Sequence, residues 1–81
     1  MRDIHYLMEI LLRYCTALTY TADNGYVTIT EEEPIKTTKK FSEMQLFSIY
    51  AASNSQCDFV ASFIRKWEEQ PSEVTNNDTK M

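Results

Sequence analysis

The sequence predicts one small α+β domain, and three observations carry that prediction. Near the N-terminus, apolar residues recur at helical spacing. On either side of Asn24-Gly25 the spacing switches to strict alternation. After residue 42 the helical spacing returns, twice. The predicted order is an N-terminal amphipathic helix, a β-hairpin, an optional third edge strand, and a C-terminal helical pair. The compact domain is expected over residues 1–69. A disordered tail is expected over 70–81, where Pro71, Ser72, Asn76, Asn77 and Asp78 leave almost no bulky apolar side chain.

The first helix is expected from about Arg2 to Thr16. Ile4, Leu7, Met8, Leu11, Leu12 and Cys15 fall at i, i+3, i+4, i+7, i+8 and i+11 and make one apolar stripe. Tyr6 and Tyr14 flank that stripe. His5 and Glu9 stand four residues apart on the polar side, where a solvated pair is the expected state of the chain's one histidine.

The hairpin comes next. Ala17 to Ala22 alternates, Tyr26 to Thr30 alternates, and Asn-Gly is the strongest short hairpin signal. Side-chain parity selects the loop length. A two-residue loop at Asn24-Gly25 pairs Ala22 with Val27, Tyr20 with Ile29 and Leu18 with Glu31. It sets Thr21 against Thr28 and Thr19 against Thr30. One face is then apolar nearly to its end and the other is a threonine ladder. A three-residue loop mixes the two sets. Gly25, the only glycine, sits where a positive φ is needed.

Pro34 cannot donate to a ladder, so a third strand through Ile35-Lys36-Thr37-Thr38, if formed, starts after it and lies at an edge. Ser42 with Gln45 reads as a capping box, and Phe41 with Leu46 as a hydrophobic staple, so a second helix begins there and runs to about Ala52. Met44, Leu46, Phe47, Ile49, Tyr50 and Ala51 surround it, which predicts the central, most buried helix. Ser53-Asn54-Ser55 breaks the pattern. Ser55 with Asp58, or Ser53 with Gln56, can cap a third helix over Gln56 to Glu69, striped by Cys57, Phe59, Val60, Phe63, Ile64 and Trp67. A single helix over 43–69, kinked at Asn54, is the alternative.

Composition narrows the function. The chain has 81 residues, 43% hydrophobic and 25% charged, with one glycine and two prolines. That is globular composition, not that of a linker. No apolar run approaches the roughly 18 residues of a membrane span. The start, Met1-Arg2-Asp3-Ile4-His5, has an acid and a histidine where a signal peptide has neither. Two cysteines without such a signal are expected as reduced thiols, and the location as cytoplasmic. A formal charge of −4 runs against duplex binding, where basic residues supply the affinity. About 69 residues make a marginal core, so self-association is expected. A homodimer seamed by Tyr6 and Tyr14, or by a flank of the second helix, is the expected form.

No catalytic constellation is legible. His5, Cys15 and Cys57 lack metal-ligand spacing, which predicts no metal and no cofactor. No base can be placed beside either thiol, and one glycine cannot build a phosphate-binding loop. Both cysteines lie on apolar stripes, where a small hydrophobe is wanted. Glu31-Glu32-Glu33 is the densest acidic cluster, either a solvated bulge or a docking site for a basic partner. The expectation is therefore a non-catalytic protein-binding module, an accessory or inhibitory regulator, with Tyr6, Tyr14, Glu31, Glu32 and Glu33 as its candidate interaction surface. The alternative is a nucleic-acid-linked regulator using the helical pair 43–69 and a basic spot of Lys36, Lys39 and Lys40. In size, acidity and α+β plan alone, the chain resembles short accessory proteins of phages and mobile elements that bind and inhibit a host protein. No motif carries that resemblance.

Overall fold

Asn24 has φ 57° and Gly25 φ 83°, the two positive dihedrals of a type I′ turn. In this computed structural model, which describes residues 3–72, that turn joins β1 (Leu18–Asp23) to β2 (Tyr26–Glu31). The antiparallel register is the one that side-chain parity predicts: Ala22 faces Val27, Tyr20 faces Ile29, Leu18 faces Glu31 and Thr19 faces Thr30. A Cβ added at Gly25 would meet nothing within 4 Å, so only the dihedral resists it. Gly25→Ala is expected to cost about 1 kcal/mol in a urea unfolding curve. A cost several times larger would mean that the turn is packed rather than open.

The third strand exists. β3 (Thr37–Ser42) pairs antiparallel with β2, giving the sheet order β1-β2-β3 and placing β3 at an edge and after Pro34, as expected. Its span is shifted towards the C-terminus from the expected 35–38. The cause is Phe41, which pairs with Val27 and is fully buried, whereas Ile35 is left outside the strand and exposed. Period two then fixes the faces. Leu18, Tyr20 and Ala22, Val27 and Ile29, and Phe41 and Lys39 look towards the helices. Thr19, Thr21, Thr28, Thr30 and Thr38 make the opposite face. There the Thr30 and Thr38 hydroxyls hydrogen-bond at 3.0 Å.

α1 (Ile4–Tyr14) is shorter at both ends than expected. Asp3 is its N-cap, with Oδ1 accepting from the Tyr6 N–H at 3.2 Å. Ile4, Leu7, Met8, Ile10 and Leu11 are buried. His5 does not pair with Glu9. Its Nδ1 lies 2.8 Å from the Tyr20 hydroxyl, because Tyr20 projects from the inward face of the edge strand and reaches the polar side of α1.

α2 (Glu43–Ala51) and α3 (Gln56–Glu69) are two helices, not one kinked helix. Ser42 Oγ accepts from the Gln45 N–H at 3.0 Å, so the Ser42 half of the capping box forms, whereas the Gln45 side-chain amide donates to Gln70 Oε1 at 3.5 Å. Phe41 and Leu46, on either side of the cap, are both fully buried in one core cluster. The Glu43 N–H also donates to the Gly25 carbonyl at 2.9 Å, fastening α2 to the hairpin turn. α2 is not the most buried helix. Only Leu46 of α2 is fully covered, and Met44 is 78% exposed. Apolar residues distributed right around a helix cannot all face the core; α1, with one concentrated stripe, takes the centre instead. Ser55 Oγ accepts from the Asp58 N–H at 3.1 Å and starts α3. Phe59, Val60 and Phe63 are its buried residues.

After α3, the Gln70 side-chain amide donates to the Lys40 carbonyl, and Ser72 forms a bridge with Lys39. The rest of the expected tail, from residue 73, lies outside the described residues. Among the described residues no helix is long and apolar enough to cross a membrane.

Candidate interaction cleft

Counting back by twos from Phe41 along β3 brings Lys39 to the inward face, beside Ile29. Lys39 is only 8% exposed. Its Nζ donates to the main-chain carbonyl of Trp67 and stands 4.9 Å from the centre of the Trp67 ring. That carbonyl belongs to the last turn of α3, where the terminal C=O groups carry the negative end of the helix dipole. A cation from the sheet therefore caps the C-terminus of α3, and the indole face adds a cation–π attraction.

A cleft of about 520 Å³ lies beside this contact, within the roughly 300–1,000 Å³ of ordinary binding clefts. One wall is apolar, made by Leu18 from β1 and by Phe63, Ile64 and Trp67 from α3. Glu31 at the end of β2 and Glu68 on α3 also line it, with Thr37 and Ser72 supplying hydroxyls and Cys15 closing one end. Ile64 and Glu68 are solvent-exposed, and Glu31 is half-buried.

The Cys15 thiol is held above its ordinary pKa, first by burial and then by the negative charge of Glu31. That favours the protonated thiol at neutral pH. The other cysteine, Cys57, is exposed and donates its S–H to the Tyr14 hydroxyl at 3.7 Å. That hydrogen bond is the first cause of a raised Tyr14 pKa, followed by the charge of Cys57 and by desolvation, with Arg13 opposing. Arg13 Nη1 in turn donates to Gln56 Oε1 at 3.2 Å. The end of α1 is thus joined to the start of α3. Cys57, Ala61, Ile64 and Glu68 follow at i, i+4, i+7 and i+11, an exposed strip along α3 that leads from Tyr14 to the cleft.

The structure divides the five residues predicted as an interaction surface. Glu31 lines the cleft, and Tyr14, exposed, precedes Cys15 at its end. Glu32 is exposed and accepts from the Thr19 hydroxyl at 3.5 Å, and Glu33 is exposed beyond the strand. Tyr6 is not part of this surface. It is half-buried and meets Tyr50 edge-on at 6.0 Å, and Tyr50 in turn packs edge-on against Phe59 in the core. The basic spot is divided too. Lys36 precedes β3 and is exposed, Lys39 points inward, and Lys40 points outward with Nζ 4.8 Å from the Tyr26 ring centre.

Sequence reading missed Lys39, Ile64, Trp67 and Glu68 as neighbours. The alternation running back from Phe41 is the signal that places Lys39 inward. The pairing of β3 with α3 has no local signature. Among the described residues no three His, Cys, Asp or Glu side chains are grouped to hold a metal. Comparison with protein-family models, with curated proteins and with solved structures finds no match.

Proposed function

We propose that the chain is a non-catalytic protein-binding module, acting as an accessory or inhibitory regulator. Its cleft takes an apolar side chain and a neighbouring Lys or Arg from another protein. The observation that carries this reading is the composition of the cleft. An apolar wall of Leu18, Phe63, Ile64 and Trp67 stands beside Glu31 and Glu68, while Lys39, the one cation lining it among the described residues, is turned to the Trp67 carbonyl. An apolar anchor in a pocket supplies affinity, and charge complementarity at the rim supplies specificity. A net charge of −4 favours the approach of a basic partner. The divided lysines give little support to the nucleic-acid alternative.

The test is selection of random 12-residue peptides on the immobilised full chain, followed by titration of the selected peptides. Trp67 is the only tryptophan and lines the cleft, so its fluorescence reports binding there directly. Selected peptides are expected to carry Lys or Arg beside a large apolar residue. They are expected to lose at least about tenfold in affinity, roughly 1.4 kcal/mol, against Glu31→Lys and Glu68→Lys. Binding that ignores both charge reversals, or steeply salt-dependent binding of duplex DNA, would overturn the reading.

A further inference from the structure

The two edges of the sheet are finished differently. At β3 the outer side is occupied: Ser72 bridges Lys39, and the Gln70 amide donates to the Lys40 carbonyl. Pro34, Lys36 and Lys40 add the proline and lysines that keep an edge from pairing with another chain. β1 carries none of these devices. From Leu18 to Ala22 it has no charge and no proline, it pairs with β2 without a bulge, and among the described residues no strand lies on its outer side.

The type I′ turn determines which main-chain groups that edge presents. It makes Asp23 and Tyr26 a hydrogen-bonded pair, and bonded pairs then alternate along the ladder. Asp23, Thr21 and Thr19 direct their N–H and C=O groups to β2, whereas Leu18, Tyr20 and Ala22 direct theirs outward.

We propose that a second copy of this chain pairs with β1, antiparallel, about a two-fold axis at Tyr20. In that register Tyr20 lies opposite its own copy and Leu18 opposite Ala22, so every outward N–H and C=O group of the three residues is bonded. A shift of two residues leaves Leu18 without its partner. A shift of one sets outward groups against groups already turned to β2. The same register keeps side chains sorted, because residues of one parity meet residues of the same parity. The helices of both copies stay on one face, and the threonine ladders join into one six-stranded outer face. Charge permits it: each chain carries −4, yet Thr19 lies opposite Thr21 and Asp23 opposite Ala17, so no like charges oppose each other across the seam. This inference does not rest on the cleft, which lies on the helical face.

Light scattering behind a sizing column, at about 10–100 µM of the full chain, tests it. The expected mass is twice the 9.5 kDa of the chain. Thr19 and Thr21 are exposed, so substitutions there leave the fold intact, as circular dichroism checks. Thr19→Lys with Thr21→Lys sets like charges opposite each other twice across the seam and is expected to halve the mass. Thr19→Lys with Thr21→Glu sets opposite charges there and is expected to keep the dimer. A wild-type chain that stays at 9.5 kDa throughout, or a dimer that survives the double-lysine variant, would overturn the proposal. Loss of the dimer in both variants would overturn the Tyr20 axis.

Discussion

Phe41→Ala is expected to cost about 3–5 kcal/mol of unfolding free energy, the largest loss from any single truncation in this core. Phe41 is fully buried and links three parts of the fold at once. It pairs with Val27 in the sheet, it stacks on Trp67 with centroids 6.1 Å apart and planes 20° apart, and it meets the Phe63 ring at 5.6 Å. It also flanks the Ser42 cap opposite Leu46. Removing the ring leaves a cavity that these fixed neighbours cannot close. Domains of ordinary size have only about 5–15 kcal/mol to lose, so the variant is expected to be partly unfolded at room temperature. Urea titration followed by circular dichroism measures the loss. A value below about 1 kcal/mol would mean that α3 does not pack on β3 through this ring.

The second large effect is Lys39→Glu. The substitution puts a carboxylate, almost out of water, against the Trp67 carbonyl oxygen that now accepts from the ammonium. Glu31 and Glu68 line the same cleft and repel it further. A buried charge without a partner costs about 3–5 kcal/mol. Lys39→Met is the control. The Met side chain keeps most of the apolar stem against Trp67, and the Trp67 carbonyl still accepts from the Gln70 N–H at 3.2 Å. Its expected cost is about 1 kcal/mol, that of one ordinary hydrogen bond. Thermal unfolding of the two variants side by side decides the matter. Equal melting temperatures would show that the ammonium does not sit on the end of α3.

The hairpin was legible to the residue because two independent local signals agree. Asn24-Gly25 specifies a two-residue turn, and the separation of apolar residues from threonines specifies the same register. The cap at Ser42 is legible for a similar reason, since a cap bonds a backbone group three residues away, whereas before α3 the sequence leaves Ser53 and Ser55 both open and the fold selects Ser55. What was missed is non-local. His5 and Glu9 are neighbours along a helix, but the partner His5 finds is Tyr20, fifteen residues on and in another element. The burial of α2 was overread because apolar content measures what a helix can hide, whereas the available neighbours decide what it does hide. Of the cleft lining, charge density in the sequence marks Glu31, while Tyr14, flanking the stripe of the first helix, only precedes the lining Cys15. Lys39 groups with Lys36 and Lys40 along the chain, and such a run reads as a solvated patch until strand parity separates its members.

Arg13 and Tyr14 meet Gln56 and Cys57 across a separation of 43 residues. By contrast β1, β2, β3 and α2 are neighbours in the chain as well as in space. The entropy of closing a loop grows with its length, roughly as (3/2)RT ln n, so the meander and its attached helix gain their contacts at small cost. Bringing α3 back onto α1 is the longer closure, offset by the burial of Phe59, Val60 and Phe63 in the core, with two exposed polar contacts at its rim, each worth about 1 kcal/mol or less. The local closures of the meander therefore cost less entropy than the closure that sets α3 against α1. The rim of that closure, where Tyr14 meets Cys57, is exposed, whereas its centre is Phe59, Val60 and Phe63 in the core.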